Sequence, residues 1–409
     1  MIRRLIIWTT SMLLFASCQF SMPEPTSTPT ETPLPTATLT STSTPTVTVT
    51  PTATPTSTPT YTPTPPYPVE GSGPKDFPSN VNPLTGLYVT DPSLLQRRPL
   101  AIKINIVPRY NRPPWGLSLA DIVYDYYHND GYTRFHAIYY GSDAELVGPI
   151  RSARMPDDLL IRMYKSLFAY GSADPRVTYR LFSADYYKRL ILESGPSINC
   201  PPTNTSPLCR EDPNGYDFLL AGTREIHVYA AGKGIDDQPQ NLEGMYFHPT
   251  PPSGGKIGTQ IALHYSSDCY ARWDYDPKTG LYMRYQDAQY LDQGQPEQYQ
   301  PLMDRLTEQQ ISAANVIVLI VPHAYFQPPP AEIVEILLSG SGAAYAFRDG
   351  KAYQVLWNRP TPDGVLTLTF ADGTPYPFKP GNTWFQIMGQ NSLVTQPQNQ
   401  SWRFEFHFP

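Results

Sequence analysis

A run of about fifty residues that cannot fold by itself sets the organisation of this 409-residue chain. From Gln19 to about Pro68 the sequence is almost entirely Thr, Pro and Ser, with Glu24 and Glu31 its only charges. Folding must offset about 1–2 kcal/mol of backbone entropy per residue, and a segment without an apolar cluster has nothing to offset it with. Repeats such as Pro51-Thr52-Ala53-Thr54-Pro55 favour extended polyproline II. At about 3.1 Å per residue, the segment could hold a folded body on the order of 150 Å from an anchor. Residues 18–68 are therefore read as a disordered tether, and their Thr and Ser density suits O-glycosylation.

The residues before the tether supply the anchor. Arg3 and Arg4 precede a largely apolar run from Leu5 to Leu14, and Phe15-Ala16-Ser17 leads to Cys18. The run is shorter than the roughly 20 apolar residues that span a bilayer, and its charged start and small-residue end are those of a signal peptide. The segment resembles a bacterial lipoprotein signal, which implies removal of residues 1–17 and lipidation of Cys18. Acyl chains, worth about 0.8 kcal/mol per buried methylene, would then hold the protein to a membrane surface. The expected location is extracytoplasmic, at the cell membrane.

The remaining 340 or so residues suffice for two ordinary cores. The chain carries 30 Lys+Arg against 36 Asp+Glu, and loss of Arg3 and Arg4 leaves 28 against 36, a charge of −8. With no basic run outside the signal, a nucleic-acid partner is disfavoured. Of the 4 cysteines, Cys200 and Cys209 flank a Pro-rich loop. An oxidising compartment would let them pair, stabilising the loop by about 2 to 3 kcal/mol. Cys269 alternates within a strand pattern and reads as a buried thiol.

Beyond the tether, strand and helix signals mix. Leu100 to Ile106 reads as a strand, and Asp121–Tyr127 and Thr133–Tyr140 read as a hairpin turned at Asn129-Asp130-Gly131. Pro156-Asp157-Asp158 opens a helix whose apolar face is Leu159, Leu160, Met163 and Leu167. A second helix is expected over Thr223–Ala231. The stretch from Asp236 to Gly255 lacks periodicity and is read as a linker. After it, strand pairs recur, one of them joined by Asp349-Gly350, a strong hairpin signal. A short helix is expected at Thr307–Ile311 from its Thr-x-x-Gln box. The fold class is α+β: a mixed α/β N-terminal domain over residues 82–235, then a mainly antiparallel β domain over 256–390.

The order of motifs resembles a known family. Asn82-Pro83-Leu84-Thr85-Gly86, Gly116-Leu117-Ser118-Leu119-Ala120-Asp121 and Gly148-Pro149-Ile150-Arg151-Ser152-Ala153-Arg154 are similar to the N-terminal half of the YerB-like lipoproteins. Asn315-Val316-Ile317-Val318, Tyr345-Ala346-Phe347-Arg348-Asp349-Gly350 and Pro380-Gly381-Asn382-Thr383-Trp384 are similar to the C-terminal half. The resemblance implies a lipid-anchored, two-domain protein and no particular reaction. The Cys200 to Cys209 loop stands out from it as an addition.

Arg151 and Arg154 lie three apart beside Ser152. Two guanidiniums that close repel unless an anion lies between them, and a bound carboxylate or phosphate would serve, each fork making bidentate contacts. Alternatively Asp125, Asp121 or Asp157 neutralises them and pins the hairpin to the helix. Arg134, expected opposite Asp125 on the hairpin, fits either picture. The expected site is a cleft of Asp125, Arg134, Arg151 and Arg154 that binds an anionic wall component or an envelope partner protein. The alternative is a wall-polymer hydrolase using Asp125 or His128 as acid/base. The 7 histidines form no zinc-binding motif, and Ser118 lacks the second glycine of a nucleophile elbow. Gly340-Ser341-Gly342 and Gly254-Gly255-Lys256 are turns, and no cofactor or metal is expected.

Overall fold

The central strands are apolar on both faces, and in a sheet that means both faces are covered. The computed structural model describes residues 64–408 except 216, 217, 293 and 399, so the signal, Cys18 and the tether up to residue 63 lie outside the described residues. Five strands and three helices organise the first half: β1 (Leu100–Ile104), β2 (Ile122–Asn129), β3 (Tyr132–Tyr139), β4 (Val147–Ile150), α1 (Met155–Tyr164), β5 (Leu167–Ala169), α2 (Pro175–Phe182) and α3 (Thr223–Gly232). β2 and β3 form the expected hairpin, with Asp130 and Gly131 at φ 53 and 81. β1 pairs antiparallel with β3 and β4 and parallel with β5.

Segments 82–235 and 256–390 contribute to one continuous sheet. The strand Thr383–Gly389 lies between Asn315–Val321 and β2 and is parallel to both. The hairpin Gly340–Arg348 with Lys351–Arg359 extends the sheet beyond Asn315–Val321. The second half is mainly β, as expected, but these parallel pairings, and that of Gln260–Ser266 with Ser401–Glu405, depart from a purely antiparallel arrangement. They join strands far apart in the chain, and pairing of that kind leaves no local mark.

Helices pack on one face of this sheet, burying Tyr124, Ile138, Leu160, Met163, Tyr164, Ile317 and Phe385. A second sheet, seven strands drawn wholly from the second half, covers the other face through Phe135, Val318, Trp273, Trp384 and Phe404. Three layers result. Because both faces are covered, the adjacent tyrosines Tyr126 and Tyr127, and Tyr139 and Tyr140, are all buried, although alternation alone would allow one of each pair to be exposed. The 236–255 stretch likewise has little regular structure, yet Leu242, Met245 and Phe247 are core residues.

Two helix expectations are revised. No helix forms at Thr307–Ile311, because Asp304 draws this segment into a turn. Its carboxylate accepts the N–H groups of Leu306 at 2.8 Å and Thr307 at 3.4 Å, and also reaches Gly116 at 2.9 Å and Ser118 at 2.7 Å. A five-residue box also pays most of the nucleation penalty for few intrahelical bonds. α2 was not anticipated, although Asp174 caps it by accepting the Arg176 N–H and Pro175 supplies a fixed first φ. α1 and α3 match their expected positions, Leu167 falling in β5 instead of on α1. No helix among the described residues is long and apolar enough to cross a membrane.

Candidate functional site

Strand alternation decides which expected site residues meet. Asp125 is opposite Phe135, and Arg134 is opposite Tyr126. Opposed residues share a face, so Asp125 points to the second sheet while Arg134 points to the helical layer. The structure therefore brings Arg134, Arg151 and Arg154 into one region and leaves Asp125 out of it. The expected opposition of Asp125 and Arg134 is out of register by one residue, and a one-residue shift moves a side chain to the other face.

The cationic region is built from four elements. Arg134 comes from β3, His128 and Tyr126 from β2, Lys103 from β1, and Asp157 from the first turn of α1, with Arg154 as its N-cap residue. The Arg-Ser-Ala-Arg segment runs extended: the Arg151 N–H donates to Lys103 O at 3.0 Å and the Ala153 N–H to Ser172 O at 2.8 Å. Arg134 Nη1 donates to Ser152 O at 2.7 Å, and Arg154 Nη1 donates to Ala153 O at 3.0 Å. Arg154 Nε donates to His128 Nδ1 at 3.3 Å, so that imidazole nitrogen acts as an acceptor. Arg134 Nε is buried without a hydrogen-bond partner among the described residues. Arg151 lines a shallow cleft with Ser152, Gly171, Ser172 and Arg210.

Beneath the arginines lies a fully buried network. Asp157 Oδ1 accepts from Lys103 Nζ at 3.1 Å and Tyr126 OH at 2.6 Å and lies 2.8 Å from His136 Nδ1, while Oδ2 accepts the Arg154 N–H at 2.6 Å. Lys103 Nζ also contacts Tyr126 OH. Of the three carboxylates that could have neutralised the arginines, only Asp157 is present here. Asp121 is engaged elsewhere, by Asn82, Tyr140 and Gly141.

The electrostatics follow from that inventory. Burial pushes the Lys103 ammonium down to about 7 against the attraction of Asp157, and Arg134 and Arg154 push the same way. Burial and then Arg154 push the Arg134 guanidinium down to about 9. His128 is held well below its ordinary range by burial, Arg134 and Arg154, so it is neutral. Burial alone would raise Asp157, but Lys103 and His136 outweigh it and hold its carboxyl well below the usual range. Asp157 is the one carboxylate inside this network, with Asp174 and Asp130 also acting on Arg154, and Lys103, Arg134 and Arg154 still repel one another, a repulsion that a bound anion would relieve.

Asp125 serves a different purpose. Its Oδ2 accepts from Arg284 Nη2 at 2.9 Å, with both side chains essentially unexposed. With the Gln386 amide oriented to satisfy both, its nitrogen donates to Asp125 Oδ2 at 3.0 Å and its oxygen accepts from Arg284 Nη1 at 3.1 Å. The Arg284 guanidinium lies 5.0 Å from the Trp273 ring and 5.2 Å from the Trp384 ring. This ion pair joins β2 to the second sheet. The local signal for Lys103 is a lysine inside the otherwise apolar strand Leu100-Ala101-Ile102-Lys103-Ile104, and His136 has none of that kind. Arg284 and Gln386 had no comparable local signal.

The remaining candidates are structural. Cys200 and Cys209 form the expected disulfide. Cys269 is buried, its thiol pushed up to about 12 chiefly by burial, which suits packing and not nucleophilic attack. Ser118 sits in a short 3-10 turn, its Oγ 3.1 Å from Thr307 Oγ1. No group of three or more potential metal ligands clusters among the described residues.

A mixed α/β segment followed by a β-rich segment, both feeding one sheet, is the arrangement of a two-part family. Residues 84–195 match the N-terminal domain, and residues 261–385 the C-terminal domain, of a family described as protein of unknown function (DUF3048). A Bacillus subtilis (strain 168) protein named "Putative lipoprotein YerB" is 25% identical over 315 residues, covering 75% of this chain and 85% of that protein. The crystal structure of YerB protein from Bacillus subtilis superposes with a TM-score of 0.59 at 25% identity, covering 75% of this chain and 96% of that one. The chain belongs to the YerB-like family.

Proposed function

We propose that this is a lipid-anchored, extracytoplasmic binding protein of the bacterial envelope, whose Arg134, Arg151 and Arg154 centre takes a carboxylate or phosphate group of a wall component or partner protein. The observation that carries the reading is the charge imbalance: Lys103 meets the one buried carboxylate, Asp157, already shared with His136 and Tyr126, while the Arg134 and Arg154 guanidiniums beside it bond to backbone carbonyls and to His128. Folding against that repulsion is costly, and an anionic ligand recovers the cost on binding. The lipoprotein name of the Bacillus relative and the signal-like residues ending at Cys18 support the anchor. The hydrolase alternative loses support from Asp125, which is buried in an ion pair on the other face of the sheet.

Titration calorimetry with phosphate-bearing and carboxylate-bearing wall fragments tests the site. Binding should weaken at least about tenfold in Arg154→Ala and in Arg134→Ala, since a charge-assisted hydrogen bond contributes about 1.5–3 kcal/mol. Arg151→Ala should act in the same direction. Affinity unchanged in all three variants, with their folding intact by urea melts, rejects the site.

A further inference from the structure

At the opposite end of α1 from Arg154, two clefts meet at Lys165. One, of about 770 Å³, is lined by six cations, Arg98, Arg162, Lys165, Lys188, Arg189 and Lys233, and by three acids, Asp185, Asp236 and Asp363. The other, of about 610 Å³, shares Lys165 and Asp363, has Lys75, Asn241 and Glu243 in its wall, and is apolar along Pro74, Val365, Leu368 and Pro375. Each volume is that of a small-molecule site.

The cationic cleft is preorganised. Arg98 Nη1 donates to Lys165 O at 2.9 Å and Arg189 Nη1 to Ser166 O at 3.3 Å, so consecutive carbonyls past the end of α1 fix two neighbouring guanidiniums. Tyr186 stands between Arg162 and Arg189, its ring 4.9 and 5.4 Å from their guanidinium carbons, and its hydroxyl donates to Asp158 at 2.5 Å. Acids neutralise only part of this set: Asp236 pairs with Arg98, and Asp185 with Arg162. Lys165, Lys188, Arg189 and Lys233 form no salt bridge among the described residues. Burial and then Arg98 push Arg189 down to about 10, with Asp185 and Asp236 pulling the other way. Lys165 Nζ donates to Asn241 O at 3.0 Å and Asp363 O at 2.7 Å, leaving one of its three N–H groups for a ligand at the junction.

We propose that the joined clefts bind a small anionic amphiphile. Its phosphate or carboxylate head lies among Lys165, Arg189 and Lys233, and its apolar body lies against Val365, Leu368 and Pro375. The charge asymmetry fixes the polarity of binding, and the apolar wall of the second cleft gives the body a place out of water. This site shares no residue with the Arg134 and Arg154 centre and does not depend on it.

The test uses the full chain and a short-chain phosphatidylglycerol below its micelle concentration. The parallel probes are glycerol phosphate, which has the charge without the tails, and a short-chain phosphatidylcholine, which has the tails without net charge. The expected result is saturable one-to-one binding of the first probe, at least tenfold tighter than either of the others. Arg189→Gln and Lys233→Gln should each weaken it fivefold or more, Arg189→Lys should lose less than Arg189→Gln, and Arg154→Ala should leave it unchanged. Lys233 is exposed at the end of α3, so its replacement keeps the test valid if Arg189→Gln is poorly folded. Glycerol phosphate binding as tightly as the amphiphile, or full affinity in Lys233→Gln and Arg189→Gln together, overturns the proposal.

Discussion

Removing one partner of the Asp125 and Arg284 pair should destabilise the whole folded body, and the two directions should differ. The side chains are 0% and 1% exposed, 2.9 Å apart. Deleting one member of such a pair costs about 3–5 kcal/mol, a large part of the 5–15 kcal/mol that holds a typical domain together. Asp125→Leu strands a guanidinium that cannot shed its proton, with only Trp273, Trp384 and the Gln386 and Gln286 oxygens to receive it. It should fall at the upper end, near about 4–5 kcal/mol. Arg284→Met leaves a carboxyl that can protonate, so its deficit depends on pH. Burial already raises Asp125, with Arg284 pulling the other way, and loss of Arg284 lifts it further. A raised carboxyl contributes stability below its unfolded value of about 3.9 and loses it as pH rises through the folded value. The Arg284→Met deficit should therefore be smallest in acid and largest near neutrality. The double variant Asp125→Leu with Arg284→Met buries no charge and should recover at least about 2 kcal/mol relative to the sum of the singles. Urea unfolding followed by tryptophan fluorescence measures all of this, since Trp273 and Trp384 flank the pair. Additive losses in the double variant, or an Arg284→Met deficit independent of pH, would refute the account.

Anion binding at the Arg134 and Arg154 centre should weaken as pH rises from 6 to 10. Lys103 loses its charge around 7 while the guanidiniums keep theirs, and calorimetry across that range reads the loss. The same Lys103 shift makes a stability prediction: its folding penalty is full below pH 7 and fades towards the unfolded value near 10.5, so denaturant melts of Lys103→Met should lack a rise that the parent shows between those limits. Asp304→Ala orphans the N–H groups of Gly116, Ser118 and Leu306 and should lower the urea-derived stability by at least about 2 kcal/mol. Cys200→Ser with Cys209→Ser should cost about 2 to 3 kcal/mol, and dithiothreitol should have the same effect on the parent and none on the variant.

Local chemistry made much of the fold legible. The turns at Asp130-Gly131 and Asp349-Gly350 use left-handed backbone that few residues accept, and both hairpins were readable from those dipeptides. The Pro-Asp-Asp start of α1 and the Cys200 and Cys209 bridge were readable for similar reasons. Parallel pairing of Thr383–Gly389 with β2 was not, because the partners lie some 260 residues apart and their apolar patterns fit many neighbours. The site divided along the same line. Arg134, Arg151 and Arg154 were brought together by a hairpin and a short extended segment, both local features. The partner of Asp125 depended on strand register and on Arg284 in the other half of the chain, and one residue of register was enough to move it to the opposite face.

Insertion of Thr383–Gly389 beside β2 has a consequence for how the polypeptide can be divided. A fragment ending at residue 195, where the first family match stops, would leave the β2 edge with open amide and carbonyl groups, flanked by Tyr124 and Tyr126 stripped of Phe385 and Ile387. Such an edge templates aggregation. Nascent molecules emerging amino end first must keep that seam from sticking until the closing strand, nearly at the carboxyl end, arrives to seal it.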